Sequence, residues 1–347
     1  MEEKMFVAPG AYVQGFGLLA KTEYLTAFGQ TGLLVTDHYV YELYGKRLQE
    51  LLQSKSLKVT PFLTDQATEP DLTALDFVIA FGGGKAIDQG KSLALHQGIA
   101  CIVIPTAAST DAATSRISVE YETNGKFSHY QVYPKSPDLV LVDTALLIQS
   151  PVHFLSSGIA DGLSTFIEAR TVFENEGRNT LNRRPTLAAL ALAEKCRDVL
   201  FADGAEALAA NRDGNVNSAF ERVVEATTLL SGLGFESGGL SIAHALHNAL
   251  LSLWSDEIDA SHGQIIAVTT LIHLATEHRT PEEYHRYAVF FKELGLPTTL
   301  GELGLPVKSE AELNELCQLA FAKEDGVKKS NLVITTEQLL AALKAHQ

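Results

Sequence analysis

Short, continuous apolar runs alternate with stretches of helical periodicity over roughly the first 150 residues of the chain. This alternation is typical of an α/β domain, in which strands and helices follow one another along the sequence. Four of the runs predict buried strands, at residues 32–37, 76–81, 100–104 and 139–142. Because apolar residues are continuous inside these runs, both faces of each strand should be covered, which favours a parallel sheet.

A different pattern follows the third run. Residues 116–121 (RISVEY) alternate polar and apolar side chains, as a strand with one exposed face does. Asn124 and Gly125 then provide a residue pair that favours a tight turn between two strands. We therefore predict a β-hairpin here that forms a flap over the functional site.

Leucine and alanine recur at helical spacing after about residue 150, and strand-like runs become rare. The clearest helical stretches are 155–170, 186–200 and 219–230. A chain of 347 residues exceeds what one ordinary core accommodates, so two domains are expected. We predict an α/β domain at residues 1–152 and an all-α domain at residues 153–347.

The composition is that of a soluble globular protein, with 46% hydrophobic residues, 20% charged residues and a net charge of −15. The negative charge disfavours a nucleic-acid partner and suits a neutral small-molecule substrate. No apolar run is long enough to span a membrane, and the N-terminal residues lack the pattern of a signal peptide. Three widely spaced cysteines argue against a disulfide framework, so a cytoplasmic location is expected.

A glycine-rich turn, Gly82-Gly83-Gly84-Lys85-Ala86, joins the second predicted strand to a helical stretch. Glycines allow a ligand to approach the backbone, and the start of a helix offers free N–H groups to a pyrophosphate. A purely structural tight turn would use the same residues. The turn therefore predicts either a phosphate cradle or a structural connection.

Polar side chains also follow two other predicted strands. Asp37 stands where a carboxylate would hold the hydroxyls of an adenosine ribose, which favours NAD over NADP, but it equally suits a helix N-cap. Residues 106–111 (TAASTD) offer small hydroxyl side chains to a phosphate or ribose. Ser109, Thr110 and Asp111 are good N-cap residues as well, and Asp111 could instead face the substrate.

Two histidines, His244 and His262, lie in or beside apolar helical sequence, where an imidazole is costly to bury without a partner. With Asp161, from the apolar stretch 158–168, they form a set of two imidazoles and one carboxylate. Such a set leaves an open coordination position on Zn²⁺, Fe²⁺ or Mn²⁺. Asp161 alone would also suit the start of a helix. His247, one turn after His244, either contacts the substrate and passes on its proton or forms a core hydrogen bond with a carbonyl.

These motifs occur in an order that resembles the glycerol dehydrogenase branch of the iron-containing alcohol dehydrogenases over nearly the whole chain. The matching segments are 82–85 (GGGK), 105–111 (PTAASTD), 158–162 (GIADG), 168–170 (EAR), 231–240 (SGLGFESGGL), 243–248 (AHALHN) and 262–263 (HG). The resemblance implies a Rossmann-like NAD-binding domain, an all-α metal-binding domain and an active site in the cleft between them.

The resemblance also implies roles for individual residues. The metal ligands would be Asp161, His244 and His262, with zinc the usual ion of the glycerol branch, and Asp111 would contact the polyol. The NAD site would be lined by Asp37, Gly82, Gly83, Gly84, Lys85, Ala86, Thr106, Ala107, Ala108, Ser109, Ser115, Ile117 and Tyr121. Members of the family often form homo-oligomers, octamers among them.

From these features we predict the reversible, NAD-linked oxidation of glycerol to dihydroxyacetone. Arg116 and Gln264 depart from the usual family pattern, and the cation at Arg116 leaves a 2-oxo acid, a hydroxy acid or another short alcohol open as substrate. A lyase of the dehydroquinate synthase type is disfavoured because few basic residues stand near the metal-ligand positions. A non-catalytic NAD-binding protein is disfavoured because the ligand set is intact.

Overall fold

The computed structural model describes residues 2–66, 70–121, 127–322 and 326–347, and the side chains of residues 120, 121, 127 and 128 lie outside this description. The strands are β1 (Tyr12–Gly15), β2 (Thr31–Thr36), β3 (Lys58–Leu63), β4 (Phe77–Gly82), β5 (Ala100–Pro105), β6 (Ile117–Tyr121), β7 (Phe127–Val132) and β8 (Leu139–Asp143). The four predicted apolar runs are therefore strands β2, β4, β5 and β8.

Helices dominate the remainder of the described chain. They are α1 (Glu23–Thr26), α2 (His38–Val40), α3 (Lys46–Ser54), α4 (Gly84–Gln97), α5 (Thr144–Leu147), α6 (Val152–Glu174), α7 (Leu187–Asp213), α8 (Ser218–Glu225), α9 (Ser231–Gly238), α10 (Ile242–Trp254), α11 (His262–Thr276), α12 (Pro281–Glu293), α13 (Glu310–Ala322), α14 (Val327–Ser330) and α15 (Thr336–Ala345). Turns of π-helix at Tyr41–Gly45 and Ala226–Leu230 join α2 to α3 and α8 to α9, and 3₁₀ turns lie at Leu18–Ala20 and Gly301–Leu303.

Six strands form one parallel sheet in the order β3-β2-β4-β5-β8-β1, which confirms the parallel arrangement expected from the apolar runs. From β2 the chain continues to β3 on one side and then returns to β4 on the other side of β2. The strand order thus reverses between β2 and β4, and parallel sheets bind ligands at the carboxyl ends of strands at such a point. Asp37 follows β2 and Gly83 follows β4, so both residues lie at this crevice.

The predicted hairpin is present as the antiparallel pair β6 and β7, with Ile117 opposite Val132 and Val119 opposite Tyr130. It packs against α4 on one side and α10 on the other. The hairpin therefore bridges the sheet region and the helical region beside the cleft. The predicted turn at Asn124 and Gly125 lies outside the described residues.

Helix α6 is the centre of the helical region. Residues 155–169 of this helix are all buried, because α6 is surrounded by α7, α9 and α11 and its sequence is rich in apolar and small residues. One apolar core runs from Val78 and Val103 of the sheet to Ile159 and Leu163 of α6. This continuous core fixes the helical region against the sheet. No helix in the described part of the chain has the length and apolarity needed to cross a bilayer.

Candidate metal centre and nucleotide cleft

Three helices bring Asp161, His244 and His262 together. Asp161 lies in the middle of α6, His244 in the first turn of α10 and His262 at the first residue of α11. One potential ligand atom from each residue lies within 4.8 Å of the other two. Because Asp161 is far inside its helix, the alternative that it caps a helix start does not hold.

The donor atoms of this cluster fit a divalent cation. His262 Nε2 lies 3.2 Å and His244 Nε2 lies 3.6 Å from Asp161 Oδ1. Asp161 Oδ2 is buried and has no hydrogen-bond partner among the described residues, which is costly for a carboxylate oxygen unless a cation satisfies it. Burial by itself would raise the pKa of Asp161, but the neighbouring imidazoles outweigh burial and hold that pKa below its ordinary value. The site therefore offers one anionic oxygen and two imidazole nitrogens, a set suited to zinc or iron.

A buried carboxylate orients the first imidazole. Glu168 lies two helical turns after Asp161 on α6. Its Oε2 atom is 2.5 Å from His244 Nδ1. Its Oε1 accepts hydrogen bonds from the backbone N–H groups of Ser241 at 2.8 Å and His244 at 3.0 Å. The contact to Nδ1 turns Nε2 of His244 towards Asp161, as a carboxylate–histidine pair does behind a metal ligand.

The second imidazole is oriented by uncharged groups. His262 Nδ1 lies 2.8 Å from His247 Nε2, and His247 Nδ1 lies 3.0 Å from Asn248 Oδ1. The Tyr130 hydroxyl contacts both ends of the Asn248 amide, accepting from Nδ2 at 2.9 Å and donating to Oδ1 at 3.3 Å. Burial, together with the nearby His262, lowers the pKa of His247 well below its ordinary value. Both ring nitrogens of His247 face protein side chains in this arrangement, and neither faces a backbone carbonyl.

A cavity of about 340 Å³ lies next to the cluster, between the sheet region and the helical region. His244, His247 and His262 form part of its wall, and Asp111 faces them from the loop after β5. Ser231 donates a 2.6 Å hydrogen bond to Asp111 Oδ2. Burial and the neighbouring Asp161 carboxylate raise the pKa of Asp111 well above its ordinary value. The cavity therefore presents polar groups on the metal side, and its other walls are largely apolar.

A second cavity, of about 380 Å³, extends from the first along the carboxyl ends of the strands. The two cavities share Gly84 and Lys85 in their walls, so together they form one elongated cleft. The predicted cofactor residues that line the second cavity are Asp37, Gly83, Gly84, Lys85, Ala86, Thr106, Ala107 and Ser109. An extended ligand could thus reach from Asp37 to the metal cluster.

The glycine turn connects β4 directly to α4, with Gly83 at the N-cap position and no side chain capping the helix. A Cβ at Gly83 would meet no atom within 4 Å, so the backbone is open to the cleft there. Asp37 does cap α2, since its Oδ1 accepts the Val40 N–H at 2.8 Å. Its Oδ2 lies 3.7 Å from where a Cβ of Gly82 would stand, so the same carboxylate also faces the turn.

Other predicted cofactor residues occupy different positions. Ser115 and Ile117 line the metal cavity. Ala108 packs against α6 instead, and its carbonyl oxygen occupies the space that a Cβ of Gly158 would need. Ala108 is therefore buried between the two regions and is not part of the cleft wall. Tyr121 ends β6, and its side chain lies outside the described residues.

Arg116 and Gln264, which depart from the family pattern, have local structural roles. The Arg116 backbone N–H donates to Glu236 at 2.9 Å, and its Nη1 donates to the carbonyl of Pro134 at 2.9 Å. Arg116 is buried and does not line the described wall of the metal cavity, so it adds no cation beside a substrate. Gln264 forms a capping box with Ser261 at the start of α11 and so fixes the turn that carries His262.

Two residues of the site have no clear sequence signal. Glu168 belongs to a matched motif, but its partner His244 is distant along the chain, so nothing local marks the pair. Lys91 is fully buried on α4, where its Nζ donates to the carbonyls of Ala112 and Ile117 and pairs with Asp88 at 3.0 Å. This lysine fixes the loop that carries Asp111, and only its spacing from Asp88 hints at the pairing.

The chain is similar to known proteins over nearly its whole length. Residues 7–151 match the family model for iron-containing alcohol dehydrogenases. The chain is 36% identical to a glycolaldehyde reductase of Halobacterium salinarum, over 98% of this chain and 96% of that protein. It is 35% identical to a glycerol dehydrogenase of Thermotoga maritima, over 98% of this chain and 95% of that protein. The crystal structure of a glycerol dehydrogenase from Schizosaccharomyces pombe matches with a TM-score of 0.93 and 31% identity, over 99% of this chain and 90% of that chain.

Proposed function

The chain belongs to the iron-containing alcohol dehydrogenase family, and from that membership we propose that it interconverts glycerol and dihydroxyacetone with NAD as the hydride carrier. It is an oxidoreductase, as its relatives are. The observation that carries the proposal is the cluster of Asp161, His244 and His262, with its unsatisfied carboxylate oxygen, at one end of a cleft that reaches Asp37 at the other.

The cluster is proposed to hold a divalent ion, with zinc as the first choice and iron or manganese as alternatives. When bound, such an ion acts as a Lewis acid that lowers the pKa of a substrate hydroxyl, and NAD accepts the hydride. The protein's own contribution is to hold the two reactants in contact. Lys91 fixes the loop that carries Asp111, and Ser231 holds the Asp111 carboxyl towards the cavity, where it would hydrogen-bond a hydroxyl of the polyol.

The charges around the metal cavity favour a neutral substrate over an acid. Asp88 and Asp111 line the cavity, and Lys85 lies at its junction with the nucleotide cavity. Arg116, which would favour a 2-oxo acid or a phosphorylated alcohol, is bound to Glu236 and Pro134. Among the described residues of the cavity wall, Lys85 is the only lysine or arginine, so a carboxylate or phosphate substrate would find few cationic partners, and the same argument disfavours the dehydroquinate synthase type of chemistry.

Reduction of a short hydroxyaldehyde is the second candidate, and the similarity to the glycolaldehyde reductase of Halobacterium salinarum favours it. The test is a comparison of kcat/KM for glycerol and 1,2-propanediol with NAD, and for dihydroxyacetone, glycolaldehyde and 2-oxobutanoate with NADH. We expect the diols and dihydroxyacetone to be the best substrates and a strong chelator to abolish their turnover. A clear preference for glycolaldehyde would select the second candidate, and a preference for 2-oxobutanoate would overturn both.

Replacing Gly83 by alanine tests the nucleotide cleft. Gly83 has φ −82° and ψ −173°, which alanine adopts freely, and the new Cβ meets no protein atom within 4 Å. The Cβ would stand in the space proposed for the pyrophosphate, so the Kd for NADH should rise about tenfold while the melting temperature stays the same. Gly301→Ala, which also meets only ordinary contacts, is the control. Equal NADH affinity in both variants would contradict the placement.

Replacing Asp37 by asparagine tests the choice between NAD and NADP. Asparagine caps a helix as well as aspartate does, so α2 should persist, but the charge that repels a 2′-phosphate is lost. We expect the ratio of kcat/KM for NADP to that for NAD to rise about tenfold, as loss of one repulsive contact of about 1.4 kcal/mol predicts. An unchanged ratio in steady-state kinetics would show that Asp37 does not face the ribose.

The NAD-binding domain is assigned to residues 1–152 and the metal-binding domain to residues 153–347, a boundary that falls at the first turn of α6. A cytoplasmic location is proposed from the spacing of the three cysteines, and a homo-oligomer, such as an octamer, from the family resemblance. Sedimentation of the purified protein measures the number of subunits.

A further inference from the structure

We infer that Asn248 and Tyr130 are positioning residues: Asn248 supports, through His247, the ring tautomer in which the metal ligand His262 binds a cation, and Tyr130 holds Asn248 in place. Through Tyr130, the β6–β7 hairpin becomes a structural part of the metal site. The inference rests on the metal centre of the proposed function and adds to it two residues outside the ligand set.

The argument starts from the ring proton of His262. His262 binds a cation through Nε2 only when its proton is on Nδ1. That Nδ1–H needs an acceptor, and His247 Nε2 lies 2.8 Å away. His247 accepts at Nε2 only when its own proton is on Nδ1, where Asn248 Oδ1 lies at 3.0 Å. Each hydrogen bond thus sets the direction of the one before it, and we call the series from His262 through His247 and Asn248 to Tyr130 the relay.

The direction of this relay depends on which end of the Asn248 amide faces His247. With Nδ2 towards His247, both ring protons would move to the opposite nitrogens, and His262 would present an N–H group to Asp161. The observed orientation places Oδ1 towards His247, and the Tyr130 hydroxyl contacts both ends of the amide, at 2.9 Å from Nδ2 and 3.3 Å from Oδ1. Asn248 is only 3% exposed, so water offers little competition for these bonds. Tyr130 therefore holds the amide against His247, and Oδ1 of that amide is the acceptor that the tautomer with a free Nε2 on His262 needs.

The two imidazoles of the metal centre differ in which neighbouring groups fix their ring tautomers. His244 faces Glu168, a carboxylate that accepts hydrogen bonds and donates none, so its tautomer needs no further selection. His262 faces another histidine, which is able to donate or accept, so its tautomer is decided further out. Tyr130 lies on β7 opposite Val119 of β6, and the hairpin position therefore determines whether the last hydrogen bond of the relay forms.

The test is the affinity of the metal-free protein for Zn²⁺, measured by competition with a chromophoric chelator, together with the visible absorption of bound Co²⁺. Asn248→Leu removes the acceptor and should raise the Kd for Zn²⁺ about tenfold, as loss of an outer hydrogen bond does in other metal sites. Asn248→Asp keeps an acceptor facing His247 and should restore the Kd to within about threefold of wild type. Tyr130→Phe should give an intermediate Kd.

Ser252→Ala is the matched control, because Ser252 lies one turn further along α10 and its hydroxyl bonds the backbone carbonyl of Asn248, not the relay. Its Kd and Co²⁺ spectrum should equal those of wild type. Equal Kd values for Asn248→Leu and wild type would overturn the inference, as would a loss in Asn248→Asp as large as in Asn248→Leu. If Asn248→Leu does not fold, Tyr130→Phe decides, and an unchanged Kd there overturns the role of the hairpin. If wild type binds neither ion, the proposed function fails as well.

Discussion

Replacement of Asp161 by asparagine is expected to abolish metal retention and to lower kcat/KM for glycerol by about a thousandfold, equivalent to roughly 4 kcal/mol. The substitution keeps the shape of the side chain but removes the charge that two imidazoles face. It also turns one carboxylate oxygen into an NH₂ group, which cannot bind a cation. Elemental analysis of the purified variant and steady-state kinetics measure both effects.

Ser164→Ala provides the control for this substitution. Ser164 is buried on the same helix, and its hydroxyl donates to the backbone carbonyl of Asp161 and not to the carboxylate. This variant should retain full metal content. The Asp161 variant should still bind NADH, because the nucleotide cavity is lined by other residues. Normal turnover by Asp161→Asn after treatment with a chelator would refute the mechanism.

Replacement of Glu168 by glutamine is expected to raise the Kd for Zn²⁺ by 10–100-fold, the usual cost of losing a carboxylate behind a metal-binding histidine. The amide oxygen still accepts the backbone N–H groups of Ser241 and His244, so the start of α10 should persist. The amide NH₂, however, faces His244 Nδ1 and favours the tautomer with the proton on Nε2. That proton blocks the nitrogen that points towards Asp161.

The chain offers a second buried carboxylate–histidine pair as the control. Glu277 lies 3.7 Å from His273 Nε2, is 4% exposed and accepts a 2.7 Å hydrogen bond from Thr171. Glu277→Gln should lower the melting temperature without changing the Kd for Zn²⁺, because His273 is not part of the cluster. If both variants lose affinity equally, the effect of Glu168 is general destabilisation and our interpretation is wrong.

The central strands of the sheet are predictable from the sequence, and the edge strands are not. Strands β2, β4, β5 and β8 have neighbours on both sides and covered faces, so their sequences are continuously apolar. Strands β1 and β3 lie at the edges of the sheet. Exposed positions such as Lys58 and Thr60 break the apolar pattern of β3, and β1 has only four residues.

The same distinction applies to the candidate site. An aspartate and two histidines in apolar helical sequence are conspicuous because burial is costly for them, so the chemistry of the cluster is predictable. Their partners are not, because Glu168 and Tyr130 each meet a residue far away in sequence, and only helix packing brings them together. Asp37 illustrates a further difficulty, since it fulfils the capping alternative and yet also faces the glycine turn.

The close contact between Ala108 and Gly158 bears on how this enzyme could be engineered. Because backbone meets backbone there, this contact sets how closely the loop after β5 approaches α6, the helix that carries Asp161. Substitutions around Asp37, in the other cavity, would leave the contact unchanged. A methyl group at position 158 would instead collide with the Ala108 carbonyl and push the loop away from α6.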